Sequence, residues 1–318
     1  MMACSLFTGD FLSKPMNDIE LNSYITTLKM PTSEGRCFSD AVDEIVQLLY
    51  TSSSLSIQEI YKGGSLKKGT GLKNRSDVDL VVFLNGVDSI SDLQRNMSSF
   101  KDQIKSALSC SDKPYCNRQF EKTTKFSVQV TLRPKSCCNI TVKVDILPSL
   151  DIVRKKGGLP GVYREMQGHD PVLRRYYSAA LTKQQAEFIK HQPPGAKDLI
   201  ILAKHWGKDV LPRTSNKWYP TSYFYEVLSV HVYEKAAGSN FDVRRGFKTI
   251  LYLLRNPHNL DVNWDYSLGI NVEKPPRVMD PANPFNNLYN SVTAWDEVRS
   301  AAKKDYTCPL LKHVAPYV

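Results

Sequence analysis

Residues 62–80 read KGGSLKKGTGLKNRSDVDL, and two carboxylates, Asp77 and Asp79, stand there on either side of Val78. Residues 78–86, VDLVVFLNG, are apolar and β-branched and stop at Asn85-Gly86, while SIQEIYK before the glycines is strand-like. The stretch therefore reads as strand, glycine loop, strand. Successive side chains of a strand point to opposite faces, which predicts Asp77 and Asp79 on one face and Val78 toward a core.

Two carboxylates on one face repel unless a cation sits between them. Hard oxygen ligands at this density suit Mg²⁺, which prefers one or two carboxylates plus substrate phosphates to a closed protein cage. Further on, in TVKVDILP, Val142, Val144 and Ile146 share one face and leave Asp145 on the other with Lys143. A third carboxylate on a neighbouring strand lets the site hold two Mg²⁺ ions, one activating a hydroxyl and one steadying leaving phosphate oxygens. Taken alone, a D-x-D is a weak signal, because acids at strand ends are common.

The loop strengthens it. Gly63 and Gly64 let backbone N–H groups approach a phosphate, Ser65 adds a hydroxyl, and Lys62, Lys67 and Lys68 add positive charge, without the spacing of a Walker loop. Glycine pair, serine, basic stretch and D-x-D in that order are far more specific than any one of them. The chemistry implied is phosphoryl or nucleotidyl transfer.

Around this centre, RCFSDAVDEIVQLLY and SISDLQRNMSSFKDQIKSALS carry apolar residues at three- and four-residue steps, with Ser89 placed to cap the second helix. FSVQVTLRP and NITVKVDILP alternate and are joined by KSCCN, which suits an antiparallel hairpin. The first half is thus α+β. The second half reads as helices in LTKQQAEFIKHQ, AKDLIILAKHWGKDV, SYFYEVLSVHVYEKA, FDVRRGFKTILYLLRN and VTAWDEVRSAAKKD, separated by proline and glycine breaks. Residues 148–177, with KKGGLPG inside them, are expected to be an irregular hinge. The division expected is a catalytic lobe over 1–155 and a helical lobe over 156–318 that completes a nucleotide cleft.

The chain has 318 residues, enough for a full core in one or two lobes. Its 42 Lys and Arg against 32 Asp and Glu leave a net charge of +10, which favours an anionic partner. Seven cysteines, odd in number and scattered, argue against a disulfide framework and for a reducing compartment, cytosol or nucleus, of which the cytoplasm is the one expected. Cys110 and Cys116 lack a zinc spacing, so no zinc is expected. The start, MMACSLFTGDFLSKP, does not read as a signal peptide, and no apolar run approaches the roughly 20 residues of a membrane span.

The ordered loop and acids resemble those of polymerase-β-like nucleotidyltransferases. More narrowly, KGGSLKKGTGLKNRSDVDLVVFL, KVDILPSLD, LAKHWGK, PTSYFYEVLSVHVYEK, GFKTILYLL, PPRVMDPANP and AWDEVRSAAKK resemble the 2′-5′-oligoadenylate synthetase family, in the same order along nearly the whole chain. The resemblance implies an enzyme that joins ATP units without a template through 2′-5′ linkages, releases pyrophosphate, and is activated by double-stranded RNA. It implies that Asp77, Asp79 and Asp145 are the metal-binding catalytic triad. By the same resemblance Gly64 and Ser65 belong to the phosphate loop, Lys204 touches the donor triphosphate and Tyr223 stacks on the donor base. By their own spacing Tyr219, Tyr223, Phe224 and Tyr225 read as helix core, a lone helical lysine as solvated, and His205 and Trp206 as packing between lobes.

The chain departs from the family pattern at Ser222 and Ile201, near the donor contacts, and at Tyr50 and Ala186, where relatives carry basic residues. Lys62 and Lys190 match basic positions of the RNA-binding side, and Lys197 is expected to join them. YTCPLLKH keeps only the cysteine of a family oligomerisation motif. Two other readings stay open: a related nucleotidyltransferase making a cyclic or mixed dinucleotide, and a catalytically silent RNA-binding scaffold. The presence of all three acids weighs against the scaffold, since a decayed site has no reason to keep like charges close.

Overall fold

The computed structural model describes residues 10–74, 77–109, 116–134, 141–236, 240–266, 270 and 272–317. In chain order come helices α1 (Asp18–Leu28) and α2 (Thr32–Ser52), strand β1 (Ile57–Lys62), the one-turn helix α3 (Ser65–Lys68), strand β2 (Asp77–Leu84) and helix α4 (Ile90–Ser109). Strands β3 (Cys116–Thr123), β4 (Val128–Pro134) and β5 (Val142–Ser149) come next. Then come helices α5 (Ile152–Lys155), α6 (Leu159–Gln167), α7 (Pro171–Arg174), α8 (Tyr177–Ala180), α9 (Thr182–Lys190), α10 (Pro194–His205), α11 (Ser222–Lys235) and α12 (Val243–Leu254). Strands β6 (Asp261–Val262), β7 (Arg277–Asp280) and β8 (Asn283–Asn287) precede the last helix, α13 (Trp295–Asp305).

Two compact units result: one is Met30–Lys190, the other joins Met1–Lys29 to His191–Val318. The boundary differs from the expected 155/156 because α5 to α9 fold with the first unit. Tyr177 of α8 is fully buried, and α8 packs on β2 and β5. Nor are residues 148–177 irregular. Their glycines and prolines punctuate short helices: Pro160 and Pro171 open α6 and α7, and the Asp151 and Asp170 carboxylates cap α5 and α7 by accepting backbone N–H groups.

In the Met30–Lys190 unit the five strands lie in the order β1-β2-β5-β4-β3. β2 and β5 run parallel and every other neighbouring pair antiparallel, which makes the sheet mixed. The apolar stripes of α2 and α4, among them Phe38, Ile45, Leu49, Leu93, Met97 and Ile104, are buried. These helices pack on β4 and β5, against the face carrying Val128, Val130, Val142, Val144 and Ile146. Ser89 caps α4, accepting the Asp92 N–H at 3.1 Å. Cys37 of α2 is disulfide-bonded.

In the other unit α10, α11 and α12 pack on one another, α1 lies against α10, and α13 against α12. Trp206, Phe224, Tyr225 and Phe247 fill its core. α10 continues into a five-residue π-helical turn, Trp206–Val210. A three-stranded sheet, β6-β7-β8, interrupts what the sequence presents as purely helical. No helix of the described residues is long and apolar enough to cross a membrane.

Candidate active site

β2 and β5 pair so that Asp79 lies directly opposite Asp145. Neighbouring strands are about 4.8 Å apart and partnered residues share a face, so the two carboxylates project side by side. Along β5 the burial alternates: Val142, Val144 and Ile146 are buried against the helices, whereas Lys143 is exposed and Asp145 half-buried on the other side. On β2, Leu80 and Val82 are buried. Beyond Asp79 on its own face, Val81 and Phe83 are buried in a cluster with Tyr61 of β1 and Ala186 of α9. The acids thus sit where the helical cover of that face ends.

At roughly 5 Å and an effective dielectric near 20, two unit charges repel by about 3 kcal/mol. A divalent cation removes that penalty, and paired hard oxygen donors open to solvent on one side fit Mg²⁺. Asp77 opens β2 with its backbone opposite Lys143, and its side chain lies outside the described residues. Among the described residues no group of three His, Cys, Asp or Glu side chains forms a metal cluster. Cys110 and the Cys116 side chain also lie outside the described residues.

The glycine loop is fastened to the acid strand. The Gly63 N–H donates to the Asp79 carbonyl at 2.7 Å. A Cβ at Gly63 would lie 3.2 Å from that carbonyl and 3.3 Å from Thr182 Cγ2, so only glycine brings the chain this close without displacement. Gly64 has φ 94°, a left-handed conformation that glycine adopts freely, and Ser65 opens α3. Lys67 lies over the Tyr61 ring at 4.0 Å, and burial lowers its pKa, partly opposed by Glu187. Burial, with Glu187 and Glu59, pushes the Tyr61 phenol up to about 12.

In the other unit Lys204 is not solvated. It is buried on α10 and donates to Glu226 Oε1 of α11 at 3.1 Å. Tyr223, half-buried, donates its hydroxyl to Asp280 Oδ1 at 2.9 Å, and burial together with that carboxylate raises its pKa well above the usual value. Asp280 also accepts from the Ala282 N–H and the Asn286 amide. Ser222 opens α11 after Thr221, whose hydroxyl caps the helix, and Ile201 is buried. His205 and Trp206, expected between lobes, make their hydrogen bonds inside this unit. His205 lies 2.8 Å from both the Tyr24 hydroxyl and an Asp209 oxygen, and Trp206 donates to Asp305 at 2.8 Å.

Of the expected RNA contacts, Lys62 is 44% exposed and pairs with Asp43, and Lys190 is 46% exposed with Glu187 at 3.4 Å. Lys197, half-buried on α10, belongs to the other unit. Tyr50 is exposed and its hydroxyl accepts the Ile60 N–H. Ala186 is buried in the cluster under Val81 and Phe83 and presents nothing to the surface.

A mixed sheet with partnered acids on adjacent strands and a glycine loop bonded to one of them is the arrangement of a polymerase-β-like nucleotidyltransferase. Solved structures agree on the fold. CdnC of E. coli with ATP superposes with a TM-score of 0.58 at 20% identity over 90% of this chain and 89% of that one. The Cid1 poly(U) polymerase with MgATP superposes at 0.56 and 14% identity over 90% and 92%. Residues 42–123 match the nucleotidyltransferase domain model. Residues 159–316 match the model of 2′-5′-oligoadenylate synthetase 1, domain 2, C-terminus.

The chain belongs to the 2′-5′-oligoadenylate synthetase family. It is 28% identical to 2′-5′-oligoadenylate synthase 2 of Rattus norvegicus over 288 residues, 78% of this chain and 38% of that protein. It is 30% identical to synthase 3 of Mus musculus, over 80% of this chain and 25% of that protein. With synthase 1A of Rattus norvegicus it shares 28% over 84% and 79% of the two. The chain therefore spans about two fifths or less of the length of the longer relatives.

Four residues escape a reading of the sequence. Glu226 and Asp280, the partners of Lys204 and Tyr223, are 22 and 57 residues away along the chain, and Thr131 and Gln129 of β4 carry no motif. Only the alternation of β4 with β5 signals that Gln129 faces Asp145.

Proposed function

We propose that the protein is an Mg²⁺-dependent, template-independent nucleotidyltransferase that joins ATP into 2′-5′-linked oligoadenylates and releases pyrophosphate. The observation that carries this reading is the pairing of Asp79 with Asp145 beside a glycine loop bonded to Asp79 itself. Gly63, Gly64 and Ser65 hold the donor phosphates through backbone N–H groups and a hydroxyl. Asp77, Asp79 and Asp145 hold the metal ions. When bound, Mg²⁺ supplies charge neutralisation at the phosphates and lowers the pKa of the attacking hydroxyl.

Asp145 orients the acceptor 2′-hydroxyl and receives its proton. The hydroxyl oxygen forms a bond to the donor α-phosphorus, and the bond from that phosphorus to the bridging oxygen breaks. Pyrophosphate leaves with the electron pair. Tyr223 stacks on the donor base, its ring fixed by the hydrogen bond to Asp280. Lys204 meets the donor triphosphate by exchanging Glu226 for it.

Double-stranded RNA is the activator in this proposal, with Lys62, Lys190 and Lys197 on phosphates, and the cytoplasm is where the two meet. The net charge of +10 supports it. The present partners of Lys62 and Lys190 also support it, because exposed ion pairs are worth about 0–1 kcal/mol and exchange readily for phosphate.

Incubation with labelled ATP and Mg²⁺, with and without duplex RNA, followed by nucleases specific for 3′-5′ or 2′-5′ bonds, tests the reading. Linear products resistant to the first nuclease and cut by the second are expected. Cyclic or 3′-5′ products would replace the reading with the dinucleotide alternative, and RNA binding without pyrophosphate release would replace it with the scaffold.

A further inference from the structure

α11 and α12 pack on one another, and a recess of about 500 Å³ is lined by the two helices together with Pro316 and Tyr317. All of it belongs to the unit that joins Met1–Lys29 to His191–Val318. Three of its lining residues are basic: His231 and Lys235, four apart and so on one face of α11, and Arg245 of α12. No lining residue is acidic. Asp242 is engaged in capping α12, where it accepts the Arg244 and Arg245 N–H groups. Asp261 pairs with Arg277 at 2.5 Å, and Glu234 adjoins Lys235 without lining the recess.

Arg245 is fixed in place. Its Nε donates to the Ala315 carbonyl at 3.1 Å, and its guanidinium lies 4.1 Å over the Tyr317 ring, which stacks in turn on Phe241 at 5.7 Å. Tyr317 is itself tied down: its N–H donates to the Thr249 hydroxyl at 2.7 Å, and its own hydroxyl accepts the Asp242 N–H at 2.8 Å. A guanidinium stacked and bonded in this way keeps its terminal N–H groups in one orientation, which suits a bidentate oxyanion. Among the described residues those terminal groups, the His231 ring and the Lys235 ammonium have no hydrogen-bond or ion-pair partner. Burial and the neighbouring Lys235 hold the His231 pKa below its ordinary value, against the pull of Asp261. The imidazole is therefore neutral at pH 7 and offers one N–H.

We propose that this recess binds an organic phosphate monoester, with the phosphate on Arg245, Lys235 and His231 and the organic body against Val232, Leu253 and Pro316. A dianionic phosphate matches the two fixed positive charges and has oxygens for all three donors, whereas a carboxylate would leave one charge uncompensated. The apolar wall and the volume are those of a small-molecule site rather than of one inorganic anion. The site lies apart from the residues assigned to nucleotidyl transfer and does not depend on that reading.

The full chain is titrated with phenyl phosphate, inorganic phosphate, phenol and AMP, and binding is read from the NMR shifts of the amides of His231 to Ala236 and of Tyr317. Phenyl phosphate is expected to shift them saturably and to bind roughly tenfold tighter than inorganic phosphate, since its ring buries apolar area, while phenol leaves them in place. AMP shifts at these amides, distinct from any on β2 and β5, would make the ligand a nucleotide; their absence beside retained phenyl phosphate binding would make it another ester. Lys235→Gln, at an exposed position, should weaken phenyl phosphate roughly tenfold through the loss of one charge-assisted hydrogen bond, with the melting temperature unchanged. Arg245→Met, which keeps an apolar stem on Tyr317, should weaken it further. Should that variant loosen the chain at Tyr317, Lys235→Gln alone decides.

No saturable shift with phenyl phosphate, equal affinity for inorganic phosphate, or unchanged binding in Lys235→Gln overturns the proposal. The readout is binding in the unit without Asp79 and Asp145, so a chain that releases no pyrophosphate from ATP would end the catalytic reading and leave this site standing.

Discussion

The backbone N–H of Gly63 donates to the carbonyl of Asp79 at 2.7 Å, so the loop proposed to hold phosphates is positioned by the residue proposed to hold metal. Gly63→Ala pushes a Cβ to 3.2 Å from that carbonyl, and either the loop or the strand must give. The variant is expected to lose about 1 kcal/mol of stability in urea denaturation. Its pyrophosphate release should fall by a larger factor than the small stability loss explains. A variant as active as the parent would separate the loop from the site.

Lys204 and Glu226 form a buried ion pair, 2% and 1% exposed. Removing one partner leaves the other charge buried alone, so Lys204→Met or Glu226→Gln should each destabilise by about 3–5 kcal/mol. The double variant should recover much of that loss. A thermodynamic cycle from chemical denaturation gives the coupling, and additive losses would show that the pair is not an energetic unit.

Tyr61 has a buried hydroxyl with no hydrogen-bond partner and a pKa raised to about 12. The unfolded chain releases this proton near pH 10, the folded chain only near 12, so the unfolded state binds fewer protons between those values. Stability therefore falls as pH rises through this window. Tyr61→Phe is expected to be neutral or slightly stabilising at pH 7 and to reduce the decline above pH 10. Parallel denaturation midpoints at pH 8 and 11 measure it, and an identical decline in both proteins would count against the assignment.

For the RNA proposal, affinity for duplex RNA should fall steeply with salt, near 0.9 log units per log unit of salt for each phosphate neutralised on the scale of B-DNA. Lys62→Glu with Lys190→Glu should lower that slope by about two contacts and weaken activation. Ala186 is buried and Tyr50 uncharged, so the minimum activating duplex should be long, or activity without RNA appreciable. Equal activation by single-stranded RNA would refute this face.

Much of the fold is legible in the sequence because its signals are local. The β-branched run of β2, the alternation of β4 and β5 and the apolar stripes of α2, α4 and α9 to α13 each declare their element. β3 does not, because Gln119 to Thr123 are exposed and CNRQFEKT lacks an apolar alternation. The short helices over 152–180 are hidden by glycines and prolines that cap them, which a linear reading takes for breaks. The small sheet is built from strands of two to five residues, too short to show a period.

At the candidate site, residue types and faces could be read from the sequence, but register could not. That β2 lies parallel to β5 with Asp79 opposite Asp145 depends on a crossover of some sixty residues. Likewise the burial of Lys204 depends on Glu226 of the next helix.

The central claim is that Asp79 and Asp145 act together in nucleotidyl transfer. Pyrophosphate release from ATP and Mg²⁺ by the parent, Asp79→Asn and Asp145→Asn, alongside their thermal unfolding, tests it most directly. Metal stabilisation of developing charge is worth several kcal/mol and each 1.36 kcal/mol is tenfold. Each variant should therefore lose on the order of a thousandfold in rate. Its melting temperature should be unchanged or higher, because one of two like charges is gone. Synthesis retained within tenfold by either folded variant would contradict the account.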